Sequence, residues 1–169
     1  FTVYRFRATD EAFLIERLNV ITASGGEVVA SATANVDKVK VKYTNKAGTA
    51  MTAEASLDAT NGSASFGFTG DNRPYVPKDS TLDVEIYANI KAKSGRTGTA
   101  LSTLGSEEMF SLDLSSGATN EFRAIGDGSG TLIEGNNSNI ANATTGNNHV
   151  IYRVFPEFSQ ETLAASEPL

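Results

Sequence analysis

"VDKVKVKYTNKAGTAMTAEASL", residues 36–57, decides the fold. Val39, Val41 and Tyr43 alternate with Lys38, Lys40 and Lys42, the two-residue period of a strand with one face buried and one in water. "NKAG" (45–48) is a glycine-containing turn, and Met51, Ala53, Ala55 and Leu57 then resume the alternation. The stretch therefore predicts a β-hairpin. Its lysines read as a solvated face, or as charge that protects a sheet edge from aggregation. Binding of an anionic surface glycan is the sharper alternative.

The same period recurs on both sides of the hairpin. "AFLIERLNVIT" (12–22) carries Phe13 and Ile15, then Leu18 and Val20, and the change of phase predicts a β-bulge or a strand buried on both faces. "DATNGSA" (58–64) holds the turn signal Asn61-Gly62 and leads into "SASFGF" (63–68), with Phe66 and Phe68 in register. "TGDNRPYVPKDS" (69–80) reads as an ordered loop. "TLDVEIYANI" (81–90) reads as a strand with Leu82, Val84, Ile86, Ala88 and Ile90 inward. Beyond a Gly/Ser/Thr loop at 91–107, strand signals return at "MFSLDLS" (109–115), "NEFRAIG" (120–126) and "HVIYRVFPEF" (149–158).

Between the last two, residues 126–148 are rich in Gly and Asn and leave room only for a short strand at Thr131–Glu134. Short helices are confined to Ser24–Ala34 or to the tail. About eight short strands at roughly ten-residue spacing predict an all-β fold, a sandwich of two packed sheets with a long Gly/Asn-rich loop. One domain is expected over 1–158, with 159–169 as an arm or linker.

Bulk properties narrow the function. A chain of 169 residues with 40% hydrophobic content suits one core. A net charge of −6 and the lack of a general basic face argue against nucleic acid as a partner. No apolar run reaches the roughly 18 residues that a membrane helix needs, so no membrane insertion is expected. Without cysteine there are no disulfides, zinc–thiolate sites or cysteine nucleophiles. Tryptophan is also absent, which leaves Tyr4, Tyr43, Tyr75 and Tyr87 as the candidate sugar-stacking platforms.

The chain opens on "FTVYRFRAT" (1–9), with no initiator Met and with strand alternation from the start. A cleaved precursor or a piece of a larger protein is expected. With the abundance of Gly, Ala, Ser, Thr and Asn, this predicts a secreted or cell-surface location.

Catalytic chemistry has little to rest on. The single histidine, His149, lacks a neighbouring nucleophile or second ligand and reads as a strand-boundary residue. "GDGSG" (126–130) offers Asp127 to calcium but lacks the spacing of a calcium loop, so a tight turn is expected. "KSGRTGTA" (93–100) is not a phosphate loop. Glu107 and Glu108 adjoin each other on a strand, a poor glycosidase pair. Asp71, Asp79 and Glu121 are carboxylates that an end of the sandwich would have to gather. No catalytic, cofactor or metal residues are assigned. Asn61, Asn136 and Asn142 begin Asn-X-Ser/Thr sequons in turn-like segments and are candidate N-glycosylation sites.

Mature type IV pilins also begin with Phe, but they continue as an apolar helix with Glu at the fifth position, where this chain has Arg5 and strand alternation. "VYRFRATDEAFLIERLNV" (3–20), the hairpin at 36–57, "YVPKDSTLDVEIYANI" (75–90) and "EFRAIGDGSGTLI" (121–133) together resemble the immunoglobulin-like β-sandwich domains of prokaryotic cell-surface and appendage proteins, S-layer-like or filamentous. The resemblance spans residues 3–133. It implies an immunoglobulin-like sandwich with a structural role and brings no catalytic residues.

The expected function is a subunit of an extracellular filament or surface lattice, a homopolymer joined by β-augmentation. A strand at Val3, Tyr4, Arg5, Phe6, Arg7 and Ala8 needs a partner, in this molecule or in the next. The alternative is an adhesin-type module that binds surface glycan, with calcium as a possible requirement, through loops 69–80 and 126–148.

Overall fold

The structure is a computed structural model and describes residues 2–22, 29–91, 107–115, 118–135 and 149–152. The described residues form an all-β fold in which every strand pair is antiparallel.

One sheet has the order β1–β7–β3–β4, built from β1 (Thr2–Arg7), β7 (Thr81–Ile90), β3 (Val36–Thr44) and β4 (Ala50–Ser56). The second is organised around β2 (Phe13–Ile21). On one flank β2 pairs with β10 (Arg123–Gly126) and β9 (Asp113–Ser115), and on the other with β5 (Ser63–Gly67) and β6 (Tyr75–Val76). β11 (Leu132–Glu134) extends this sheet beyond β10. A separate two-stranded ladder joins β8 (Glu107–Phe110) to β12 (His149–Tyr152). One short helix, α1 (Val29–Asn35), precedes β3 and ends one residue beyond the stretch expected to allow it.

The hairpin at 36–57 is present in the expected register, with Val39 opposite Ala55, Val41 opposite Ala53 and Tyr43 opposite Met51. Asn45 organises its turn. The side-chain oxygen accepts the amides of Ala47 and Thr49, and Gly48 takes the positive φ of 77° that a side chain would resist. The Asn61-Gly62 turn works in the same way, with the Asp58 carboxylate accepting the amides of Thr60 and Asn61, and Gly62 at φ 65°.

The two sheets share one hydrophobic core. Tyr4, Val39, Val41, Val84 and Ile86 come from the first sheet, and Ile15, Leu18, Val20, Phe66 and Ala124 from the second. Tyr43 meets Phe68 edge-on across the interface at 5.1 Å. Alternating residues point inward on both sheets, the arrangement of packed antiparallel layers.

The phase change in β2 is a bulge. Arg17 pairs with Arg123 and Ile15 with Ala124, so Glu16 is the extra residue on the β2 side. Ile15 and Leu18 are both buried, and Glu16 and Arg17 together occupy the outer face.

A second irregularity corrects the reading of β7. Ile90, expected inward, is 40% exposed. It pairs with Val36 beyond a register shift at Asp37 of β3, past the Thr81–Ile86 stretch of β7 that β1 covers. The edge-protecting reading of the lysine stripe is also corrected, because β3 lies between β7 and β4 and not at an edge.

Candidate functional site

The partner that strand β1 required lies in the same chain. β1 pairs with β7 along its whole length, with Val3 opposite Glu85, Tyr4 opposite Val84, Arg5 opposite Asp83 and Phe6 opposite Leu82. The alternation read from the sequence holds: Tyr4 and Ala8 are buried, Phe6 packs against the core, and Val3, Arg5 and Arg7 are exposed.

The Tyr4 hydroxyl donates a 2.7 Å hydrogen bond to the Leu112 carbonyl, tying the first sheet to the segment before β9. Burial, reinforced by the nearby Asp113 carboxylate, pushes the phenol up to about 12, while a hydrogen bond from the Leu114 backbone acts in the opposite direction. Phe6 stacks on Phe122 at 6.0 Å, so β1 contributes a second aromatic to the contact between the sheets.

On the outer face, Arg5 grips Asp83 with two hydrogen bonds of 2.7 and 2.8 Å. That grip holds the Asp83 carboxyl below the usual carboxylate range. Among the described residues, no strand pairs with the other side of β1. Among those residues the strand is laddered to a single neighbour and leaves its other edge open.

The lysine stripe lies on a charge-balanced sheet face. Lys40 meets Glu54 at 2.8 Å and Lys38 reaches the same carboxylate at 3.8 Å. Lys42 sits 4.6 Å above the Tyr87 ring, whose hydroxyl donates to Glu85. Lys40 holds the Glu54 carboxyl below its ordinary range, chiefly through their hydrogen bond.

A groove of about 580 Å³ opens where the loop before β7 meets the hairpin turn. Tyr75, Asn45, Thr81, Asp83 and Glu85 line it, so an aromatic ring stands among hydrogen-bonding groups. Lys46 lies 5.8 Å from the Tyr75 ring and binds Asp127 at 2.7 Å, which raises the lysine above its usual range. The groove thus touches the two loop regions named for a glycan ligand, 69–80 directly and 126–148 through Asp127.

"GDGSG" forms the tight turn between β10 and β11, closed by Gly130 N–H donating to the Gly126 carbonyl, with Gly130 at φ 71°. Glu11, which the sequence did not single out, plugs this turn. Its carboxylate accepts the Ser129 hydroxyl and the amides of Ser129 and Gly128, and the Ser129 hydroxyl is the main reason that it stays ionised below the usual range. Its oxygens would lie 2.5 and 2.7 Å from a Cβ at Gly126, so any side chain there would displace Glu11. No sequence spacing links Glu11 to a turn more than a hundred residues away; only the β2–β10 ladder brings them together.

Among the described residues, no three His, Asp or Glu side chains gather to hold a metal ion, and this includes Asp71, Asp79 and Glu121. His149 starts β12 opposite Phe110, half-buried, and burial lowers its imidazole. Glu107 and Glu108 are successive positions of β8. Asn61 is exposed in its turn and accepts hydrogen bonds from the Ser63 amide and hydroxyl at 3.0 and 2.7 Å. Asn136, Asn142, residues 93–100 and the 159–169 arm lie outside the described residues.

Compared with protein-family models, curated proteins and solved structures, the chain matches none.

Proposed function

We propose that this chain is a structural, non-catalytic subunit of an extracellular filament or surface lattice. In this reading it is an immunoglobulin-like sandwich that assembles with copies of itself by exchange of β1. The observation that carries the proposal is the placement of β1: a six-residue strand in full register with one neighbour and with its other edge open among the described residues. A neighbour's β1 laid on β7 would make the same ladder and insert the same Tyr4 and Phe6. Exchange therefore costs only the opening of the Ala8–Ala12 connection and the entropy of association. Reciprocal exchange closes a dimer, and head-to-tail exchange gives an open polymer.

The cysteine-free chain allows a direct test. Val3→Cys with Glu85→Cys places a thiol pair at a register position of the β1–β7 ladder. Oxidised, the variant should remain monomeric in negative-stain images and in sedimentation. Reduced, it should assemble like the parent chain. Normal filaments from the fully oxidised form would refute exchange, as would a parent chain that stays monomeric at every concentration.

The Tyr75 groove favours a second reading, an adhesin-type module for a surface glycan. Saturable binding on a glycan panel, with and without calcium and abolished by Tyr75→Ala, would support it over the filament.

A further inference from the structure

The bulge in β2 has a chemical product. By bringing Glu16 and Arg17 to the same face, it sets Arg17 beside Arg123 of β10 and Arg73 of the loop before β6. These side chains line a groove of about 490 Å³ on the outer face of the second sheet, with Gly67 and Gly70 along its wall. Three of the chain's seven arginines meet here, in a protein of net charge −6.

Among the described residues that line this groove, Glu16 is the single carboxylate. It is held at 3.1 Å by Arg73 and at 2.9 Å by Arg123, so the guanidinium groups are already spaced to seat a carboxylate. Arg123 Nε is buried and makes no aligned hydrogen bond, even to Glu16. Arg17 donates to the Asn120 carbonyl at 3.2 Å and forms no ion pair among the described residues. Two like charges directly opposite each other in a ladder repel. Glu16 offsets part of the positive charge and leaves an excess on the groove.

Gly67, opposite Arg17, is not required by packing. A Cβ there meets nothing within 4 Å, and its backbone is not in the left-handed region. Its lack of a side chain keeps the groove open beside Arg17.

We propose that this groove binds an oxyanion, a carboxylate or phosphate carried by a small molecule or a sugar unit, through Arg17, Arg73 and Arg123. The planar guanidinium fork suits either group, and the volume lies in the range of ordinary small-ligand sites. The site is on the opposite sheet from β1 and does not depend on strand exchange.

The test is an NMR titration of the labelled full chain with glucuronate, with glucose as the neutral control and with inorganic phosphate. Saturable shifts at Arg17, Gly67 and Arg123 with glucuronate, phosphate or both, and none with glucose, support the site. Glucuronate alone assigns it to acidic sugars, and equal response to both anions assigns it to the free charge.

Arg17→Gln should weaken binding roughly tenfold or more, and Gly67→Leu should block it. Glu16→Gln should tighten it, a change of opposite sign that general loss of structure cannot produce. Dispersed spectra confirm that each variant is folded. No saturable response to either anion, or unchanged binding in both Arg17→Gln and Gly67→Leu, would overturn the proposal.

Discussion

Tyr4 shows how much one side chain settles at this fold's interface. Its ring is buried and its hydroxyl reaches the Leu112 carbonyl of the opposing segment. Because the folded phenol is pushed up to about 12, from an unfolded value near 10, the folded state favours the neutral form. The corresponding stability is fully present below pH 10 and is lost as pH rises from about 10 to about 12, on the order of 2–3 kcal/mol in total. Tyr4→Phe should therefore cost about 1 kcal/mol near neutral pH, the worth of the hydrogen bond. It should also flatten the alkaline decline, as read from urea denaturation at pH 7 to 12.

At the scale of elements, the bulge in β2 governs the second sheet. Deleting Glu16 would restore a regular ladder with Ile15 and Leu18 both still inward, but it would remove the carbonyl that accepts the Phe68 amide and the carboxylate that Arg73 and Arg123 hold. The expected loss is that of one backbone hydrogen bond and its charge contacts, about 1–3 kcal/mol. Glu16→Gln keeps the residue count and should cost no more than about 1 kcal/mol. Chemical denaturation of the two variants separates the backbone contact from the charge.

This bulge was legible in the sequence, since Ile15 and Leu18 break an alternation that the flanking residues keep. Its consequence was not, because Arg73 and Arg123 come from strands and loops paired through long-range contacts. The hairpin at 36–57 was fully legible, because its register follows from local alternation and one turn. Ile90 was misread because local alternation does not report where the neighbouring strand stops, and β1 covers β7 only as far as Ile86. Glu11 was missed for a related reason, as its role exists only once β10 lies beside β2.

At the scale of the whole molecule, the outer strand β1 and the central strand β2 differ in how they are held. Among the described residues β1 is laddered to β7 alone, and its outward pair Arg5–Asp83 is exposed and adds little to stability. The oxidised Val3→Cys, Glu85→Cys variant should therefore unfold at higher temperature than the reduced form, whatever its assembly state. A calorimetric scan in each redox state gives the comparison.

β2, by contrast, is flanked on both sides along its length, by β10 and β9 on one and by β6 and β5 on the other. When amide protons are traded for deuterium, those of Leu18 and Val20 should be among the last to go, and those of β1 should leave earlier by a partial opening that spares the second sheet. Under tension applied through β1, the molecule should lengthen by shedding that strand first, and the sheet around β2 would stay folded while β7 takes the strand back once the load is removed.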